Sequence, residues 1–186
     1  MAKELSGKKW VARFPDKRTT DALADAFRPG CEAFIAGMRK GGATVSVNST
    51  FRPDERAYLM FFAFKIANGF NPAKAEVHPN VEIEWVHRKA NGSVDSAASK
   101  RAAKEMVEAY DIAFAPARHS RHTQGKAIDM TISWKGDLKI DNKSGMTTTI
   151  SSTPRNGFNL ALRKVGKTYK VTKHPTDPPH WSTDGR

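Results

Sequence analysis

The segment at residues 120–134, SRHTQGKAIDMTISW, constrains the fold more than any other part of the chain. From Gly125 onward it has the apolar alternation of a strand, yet Asp129 sits in the middle of it. Side chains alternate along a strand, so Asp129 projects from one face with Ala127 and Thr131. A carboxylate that enters an apolar strand needs a partner that offsets its desolvation. It is either a buried structural group or a ligand that shares a metal with His122, which lies in a turn ahead of the strand. Gly125 lets the chain bend between the two, and the small Ala127 leaves room beside them. A turn followed by a strand can thus bring His122 and Asp129 to one ion.

Two ligands do not hold a metal, and the C-terminal stretch supplies a third. Zinc takes nitrogen, oxygen or sulfur ligands tetrahedrally, and a catalytic zinc keeps one position for water. In DPPHW, Asp177 and His180 stand three apart, with two prolines stiffening the spacing. His180 completes a His122–Asp129–His180 set. Asp177 then stands beside the water as general base, since zinc lowers the pKa of water to about 7 and a neighbouring carboxylate takes its proton. Attack on a carbonyl builds an oxyanion that needs a positive group aimed at it. Arg52, in STFRP between a predicted strand and a predicted helix, is the candidate.

The remainder of the chain reads as α+β. Residues 19–42 are helical in pattern, with Thr19 or Thr20 as cap, Pro29 dividing the stretch either as a kink or as the first turn of a second helix, and Gly41-Gly42 as the stop. Residues 43–50 alternate as a strand. A helix follows with Pro53 at its first position, acidic Asp54 and Glu55 in the first turn and Gly69 at its end. Residues 81–85 form a short extended piece, and residues 93–112 a helix of high propensity. One or two strands fit 136–151, a helix fits 154–169, and a last strand fits 169–173. The stretch 174–186 reads as proline-rich and irregular. With 186 residues and 39% hydrophobic content, the expectation is a single domain over 1–186.

Charge and cysteine usage narrow the function. The formal net charge of +12 suits an anionic partner: nucleic acid, anionic lipid or the acidic polymers of a bacterial wall. The single cysteine, Cys31, excludes an intramolecular disulfide and reads as a small buried side chain. His78, His87, His119 and His174 fall in loops without partners at metal spacing, and Glu82 and Glu84 read as a solvated strand face. No apolar run reaches the roughly 20 residues of a membrane span. The first twenty residues lack the apolar core of a secretory signal, which predicts synthesis in the cytoplasm without a signal peptide.

The pattern S-x-H-x-x-G-x-A-x-D, filled by Ser120, His122, Gly125, Ala127 and Asp129, is followed by D-x-x-H-W and preceded by STFRP. Together these resemble the signature of the LAS zinc metallopeptidases, a group that includes lysostaphin-type enzymes, D-alanyl-D-alanine peptidases and the hedgehog signalling domain. Within it the chain is most similar to the D-alanyl-D-alanine carboxypeptidase and L-alanyl-D-glutamate endopeptidase branch. The resemblance covers residues 44–183, and 1–43 stand outside it as an N-terminal helical segment. It implies a small antiparallel central sheet with flanking helices in one catalytic domain. It also implies one zinc per chain on His122, Asp129 and His180, with Asp177 as base, Arg52 stabilising the transition state and Ser120 near the substrate. The substrate implied is peptidoglycan or its stem peptides, reached in the wall after release or injection. Partners would be a holin or a secretion apparatus that delivers the chain, and an immunity protein if it is an effector. The competing readings are a basic nucleic-acid-binding protein or metal-dependent nuclease, and a hedgehog-like module that keeps zinc without catalysis. No helix-turn-helix, RNP motif or basic–aromatic stripe supports nucleic-acid binding.

Overall fold

The computed structural model describes residues 3–186. In chain order the elements are β1 (Glu4–Leu5), α1 (Arg28–Lys40), β2 (Thr44–Ser49), α2 (Asp54–Ala67), β3 (Ile83–Glu84) and α3 (Ser96–Ala109). Then follow β4 (Ala127–Ser133), β5 (Leu138–Asp141), β6 (Thr147–Ile150), α4 (Leu160–Thr168), β7 (Thr172–Lys173) and β8 (His180–Ser182). The class is α+β, with small antiparallel sheets and one short parallel pair. Among the described residues, no helix is long and apolar enough to cross a membrane. The chain divides into two compact units, the residues up to Pro15 with Pro53–Ser120, and Asp16–Arg52 with Arg121–Arg186.

The first unit is built on α2 and α3. Tyr58, Leu59, Met60, Phe62, Ala63 and Ile66 of α2 are all buried, so this helix is apolar around most of its girth and needs cover on several sides. One side is met by α3, whose Ser99, Ala102, Ala103 and Met106 form a narrow stripe of mostly small residues that lets the two helices pack closely. Asp95 caps α3, its Oδ1 accepting the Ala98 N–H at 2.9 Å. Pro53 lies just ahead of α2 as its cap position rather than inside its first turn. The parallel pair β1–β3 and the buried Trp10 close the unit. His78 lies in a loop and is buried: its Nε2 lies 2.9 Å from Asp54 Oδ2, and its Nδ1 accepts the Asn80 N–H at 3.1 Å. Arg118 grips the same Asp54 carboxylate with both terminal nitrogens.

The second unit carries a four-stranded antiparallel sheet in the order β2-β4-β8-β7, with β5 and β6 as a separate hairpin. One face packs Val45, Ile128, Met130, Ile132 and Trp181 against Phe34 and Met38 of α1 and Leu162 and Val165 of α4. The stretch 19–42 divides into a 3-10 turn, Thr20–Ala22, and α1 from Arg28, with Pro29 in the first turn of a second helix rather than at a kink. Leu23 is extended between them, and Pro29 is tolerated only in a first helical turn. The last helix starts at Leu160, later than 154, because Asn159 caps it: its Oδ1 accepts the Ala161 and Leu162 N–H groups. The stretch read as irregular contributes β8, an interior strand. Its prolines sit just before it, where no ladder donor is lost, and Trp181 anchors it in the core.

The Asp54 cluster gives the first unit a signature in acid. Hydrogen bonds from Arg118, opposed by partial burial and supported by His78, bring the Asp54 carboxyl from 3.8 to about 2. A depressed carboxyl stabilises the fold above its unfolded pKa, and that stability is lost as the pH falls through the folded value. Denaturant midpoints of the wild type should therefore fall between about pH 4 and pH 2 more steeply than those of Asp54→Asn, the two curves converging at the acid end. Parallel curves would show that the cluster does not act in this way.

Candidate metal centre

The site is assembled on the sheet face opposite the core. β4 alternates Ile128, Met130 and Ile132 toward the core with Asp129, Thr131 and Ser133 toward the other side. Register places Ser49 of β2 and His180 of β8 directly beside Asp129, one on each flank, after a bulge between Val47 and Ser49. Directly paired residues share a face, so Asp129 and His180 point the same way. His122 arrives from the 3-10 turn His122–Gln124 ahead of β4. Gly125 ends that turn with φ +65°, and a Cβ there would lie 2.9 Å from the Ala24 nitrogen. Its carbonyl accepts the Ala24 N–H at 2.9 Å, which ties the turn to the stretch before α1.

Among the described residues, His122, Asp129 and His180 form a group that could hold a metal ion. His122 Nε2 lies 3.2 Å from Asp129 Oδ1 and 3.1 Å from His180 Nδ1, and His180 Nδ1 lies 3.1 Å from Asp129 Oδ1. The three atoms form a nearly equilateral triangle. Tetrahedral bonds of about 2.0–2.1 Å set ligand atoms roughly 3.3 Å apart, so one ion just off this plane reaches all three. His180 Nε2 lies 3.0 Å from the Arg186 main-chain oxygen, which only accepts, so Nε2 carries the hydrogen and the neutral ring turns its Nδ1 lone pair inward. That lone pair faces the Asp129 oxygen and the His122 nitrogen. A single proton can bridge one edge of the triangle, whereas a central cation satisfies all three atoms at once.

The electrostatics match the donor set. Burial works against the charged form of Asp129, but when a proton occupies the triangle its hydrogen bonds with His122 and His180 outweigh burial and hold the carboxyl well below the usual carboxylate range. Burial by itself would lower the His180 pKa, and the adjacent Asp129 carboxylate more than reverses this, leaving it above the ordinary histidine value. A proton and a metal ion thus compete for the same place. Two imidazole nitrogens with one carboxylate oxygen fit zinc or a neighbouring transition metal better than calcium or magnesium, which take mostly oxygen.

The other residues singled out in the sequence stand around this centre or apart from it. Asp177 is exposed in the turn before β8, and its charge is felt at His180. Arg52 follows β2, and its N–H donates to the His122 carbonyl at 3.2 Å. Its guanidinium is turned to Asp16, with Nε and Nη2 each 3.4 Å from a carboxylate oxygen. Ser120 is half-buried and belongs to the other unit. A gap of about 320 Å³ beside β4, between Asn48, Thr131, Asn156, Phe158 and the Pro178-Pro179 pair, adjoins the strand that carries Asp129. Sequence reading overlooked Asp16, for which no local pattern exists. The basic positions of residues 162–173 read in the sequence as solvated, but Lys173 is buried; its signal was a lysine two residues after Val171, at an inward-facing position of the last expected strand.

No family model, curated protein or solved structure matches the chain. The site itself makes a direct prediction. The purified protein should bind one equivalent of a divalent transition metal, and His122→Ala should lose stoichiometric binding while keeping its helical circular dichroism. Full metal occupancy in His122→Ala would remove His122 from the centre.

Proposed function

We propose that the chain is a zinc-dependent peptidase, with a fold of the LAS metallopeptidase type, that hydrolyses an amide bond in peptidoglycan stem peptides as a D,D-carboxypeptidase or endopeptidase. The observation that carries this reading is the triangle of His122, Asp129 and His180 donor atoms, 3.1–3.2 Å on a side, contributed by the residues of the S-x-H-x-x-G-x-A-x-D and D-x-x-H-W patterns. Zinc in such a site supplies Lewis acidity, polarising a carbonyl and lowering the pKa of water to about 7.

The chain's own residues would do the rest. Asp177, solvent-exposed and close enough for its charge to act on His180, accepts a proton from the attacking water and passes it to the leaving amine. Arg52, oriented by Asp16 and tied through its main chain to the His122 turn, faces the developing oxyanion. The gap beside β4, with hydroxyl, amide and apolar walls, is of a size for small residues such as alanine. The +12 charge would hold the protein near the anionic wall polymers, where a holin or a secretion apparatus would have to deliver it.

The test is mass spectrometry of purified muropeptides incubated with the protein, with chelator and with zinc returned. Stem-peptide cleavage should stop with chelator and resume with zinc. Asp177→Asn should keep its metal and lose about 10²–10⁴-fold in turnover. Arg52→Ala should lose about 10²–10³-fold in kcat. If the zinc-loaded protein cuts no stem peptide, the reading is overturned. Zinc-dependent cleavage of DNA or RNA would instead favour the nuclease reading that the net charge also fits.

A further inference from the structure

Lys173 is a lysine on the core side of the sheet. It is the register partner of Trp181 at the end of β7 and is 6% exposed. Its ammonium has three N–H donors, and three main-chain carbonyls surround it: His174 at 3.1 Å, His180 at 3.0 Å, and Asp177 in close contact. Aromatic rings complete the enclosure, with Phe158 centred 4.8 Å and Trp181 5.7 Å from the nitrogen. Burial, followed by the nearby Arg163, pulls its pKa from 10.5 to about 8. Replacing this lysine by an apolar residue would remove that desolvation cost, so its presence calls for an explanation beyond packing.

The three carbonyls are not scattered. All belong to the turn 174–180, which joins β7 to β8 and carries both Asp177 and His180. The next residue, His174, holds the same turn through its amides: its Nδ1 accepts the Thr176 N–H at 3.3 Å and the Asp177 N–H at 3.0 Å. The His180 N–H returns to the Asp177 carbonyl at 3.3 Å. The turn is therefore gripped from both sides, by carbonyls on the core side and by amides on the site side. Prolines at 175, 178 and 179 supply no N–H of their own, and the remaining main-chain bonds of the turn lie at its end, from His174 N–H to the His180 carbonyl at 3.0 Å and from Met130 N–H to the Pro179 carbonyl at 2.8 Å.

We propose that Lys173 is a positioning residue, whose ammonium gathers the carbonyls of His174, Asp177 and His180 and so sets the spacing between the Asp177 carboxylate and the His180 metal-binding nitrogen. The metal-binding part of this inference stands on the geometry alone, and the part concerning Asp177 rests on the peptidase reading. Outer-shell groups of this kind tune metal affinity or activity by about 10–100-fold.

The experiment compares wild type with Lys173→Met, which keeps the stem but removes the donors, and Lys173→Arg, which keeps charge but alters the spacing. Amide exchange in the metal-free proteins should quicken at Thr176, Asp177 and His180 by about tenfold or more in Lys173→Met and by less in Lys173→Arg. Amides of β2 and the β2-facing side of β4 should keep wild-type protection in both. Zinc affinity in chelator competition should fall by about 10–100-fold in the same order, as should kcat on a stem peptide, with KM little changed. If Lys173→Met does not fold, Lys173→Arg decides by the same readouts. Wild-type exchange in the turn together with wild-type zinc affinity, in either folded variant, would overturn the proposal. If the wild type cuts no stem peptide, exchange and zinc affinity still decide the role of Lys173, and the peptidase reading alone falls.

Discussion

Three lone-pair atoms from His122, Asp129 and His180 meet at 3.1–3.2 Å, and the structure around them depends on what separates them. Without a proton or a cation between them the contact is repulsive: an ionised carboxylate faces two ring nitrogens, and the neutral His180 ring carries its hydrogen on Nε2, committed to Arg186 on the far side. A proton relieves one edge, and a cation relieves all three. The depressed pKa of Asp129 and the raised pKa of His180 express the same demand for positive charge at the centre. Holding such a triangle together costs folding energy in the absence of an ion, so an ion bound there would be thermodynamically linked to the folding of this unit.

The sheet makes that arrangement affordable by dividing its two faces. Ile128, Met130, Ile132 and Trp181 on one side bury against α1 and α4, which fixes the register of β2, β4 and β8. A slip of one residue would send Asp129 into the core, so apolar packing on one face determines the polar geometry on the other. Gly125 extends this control to His122, since only a residue without Cβ accepts its positive φ beside Ala24. Lys173 is the exception that crosses the division. It sits on the core side, yet its bonds reach the turn that feeds the site.

Much of the candidate site was legible in the sequence because its signals are local. A histidine, a glycine and a strand carrying one carboxylate imply a bend and a shared face through chain geometry alone. The helices α2 and α3 were legible for a similar reason, through an apolar run closed by Gly69 and a run of good helix formers. What escaped depends on distant partners. β8 is three residues long and follows two prolines, so nothing local marks it as an interior strand; pairing with β4 and β7 and burial of Trp181 make it one. The Asp16–Arg52 pair and the Asp54–His78–Arg118 cluster join residues far apart in the chain, where periodicity carries no information. Leu23 shortened the first helical piece to a 3-10 turn and Asn159 moved the last helix start, because a break and a cap act at single positions that an averaged pattern smooths over.

X-ray absorption at the zinc edge, recorded on the zinc-loaded protein, tests the central claim most directly. The account predicts a shell of nitrogen and oxygen scatterers at about 2.0–2.1 Å with the outer-shell signature of two imidazoles, reduced to one in His180→Ala. A sulfur contribution, a shell with one imidazole or none in the wild type, or a spectrum unchanged by His180→Ala would contradict it.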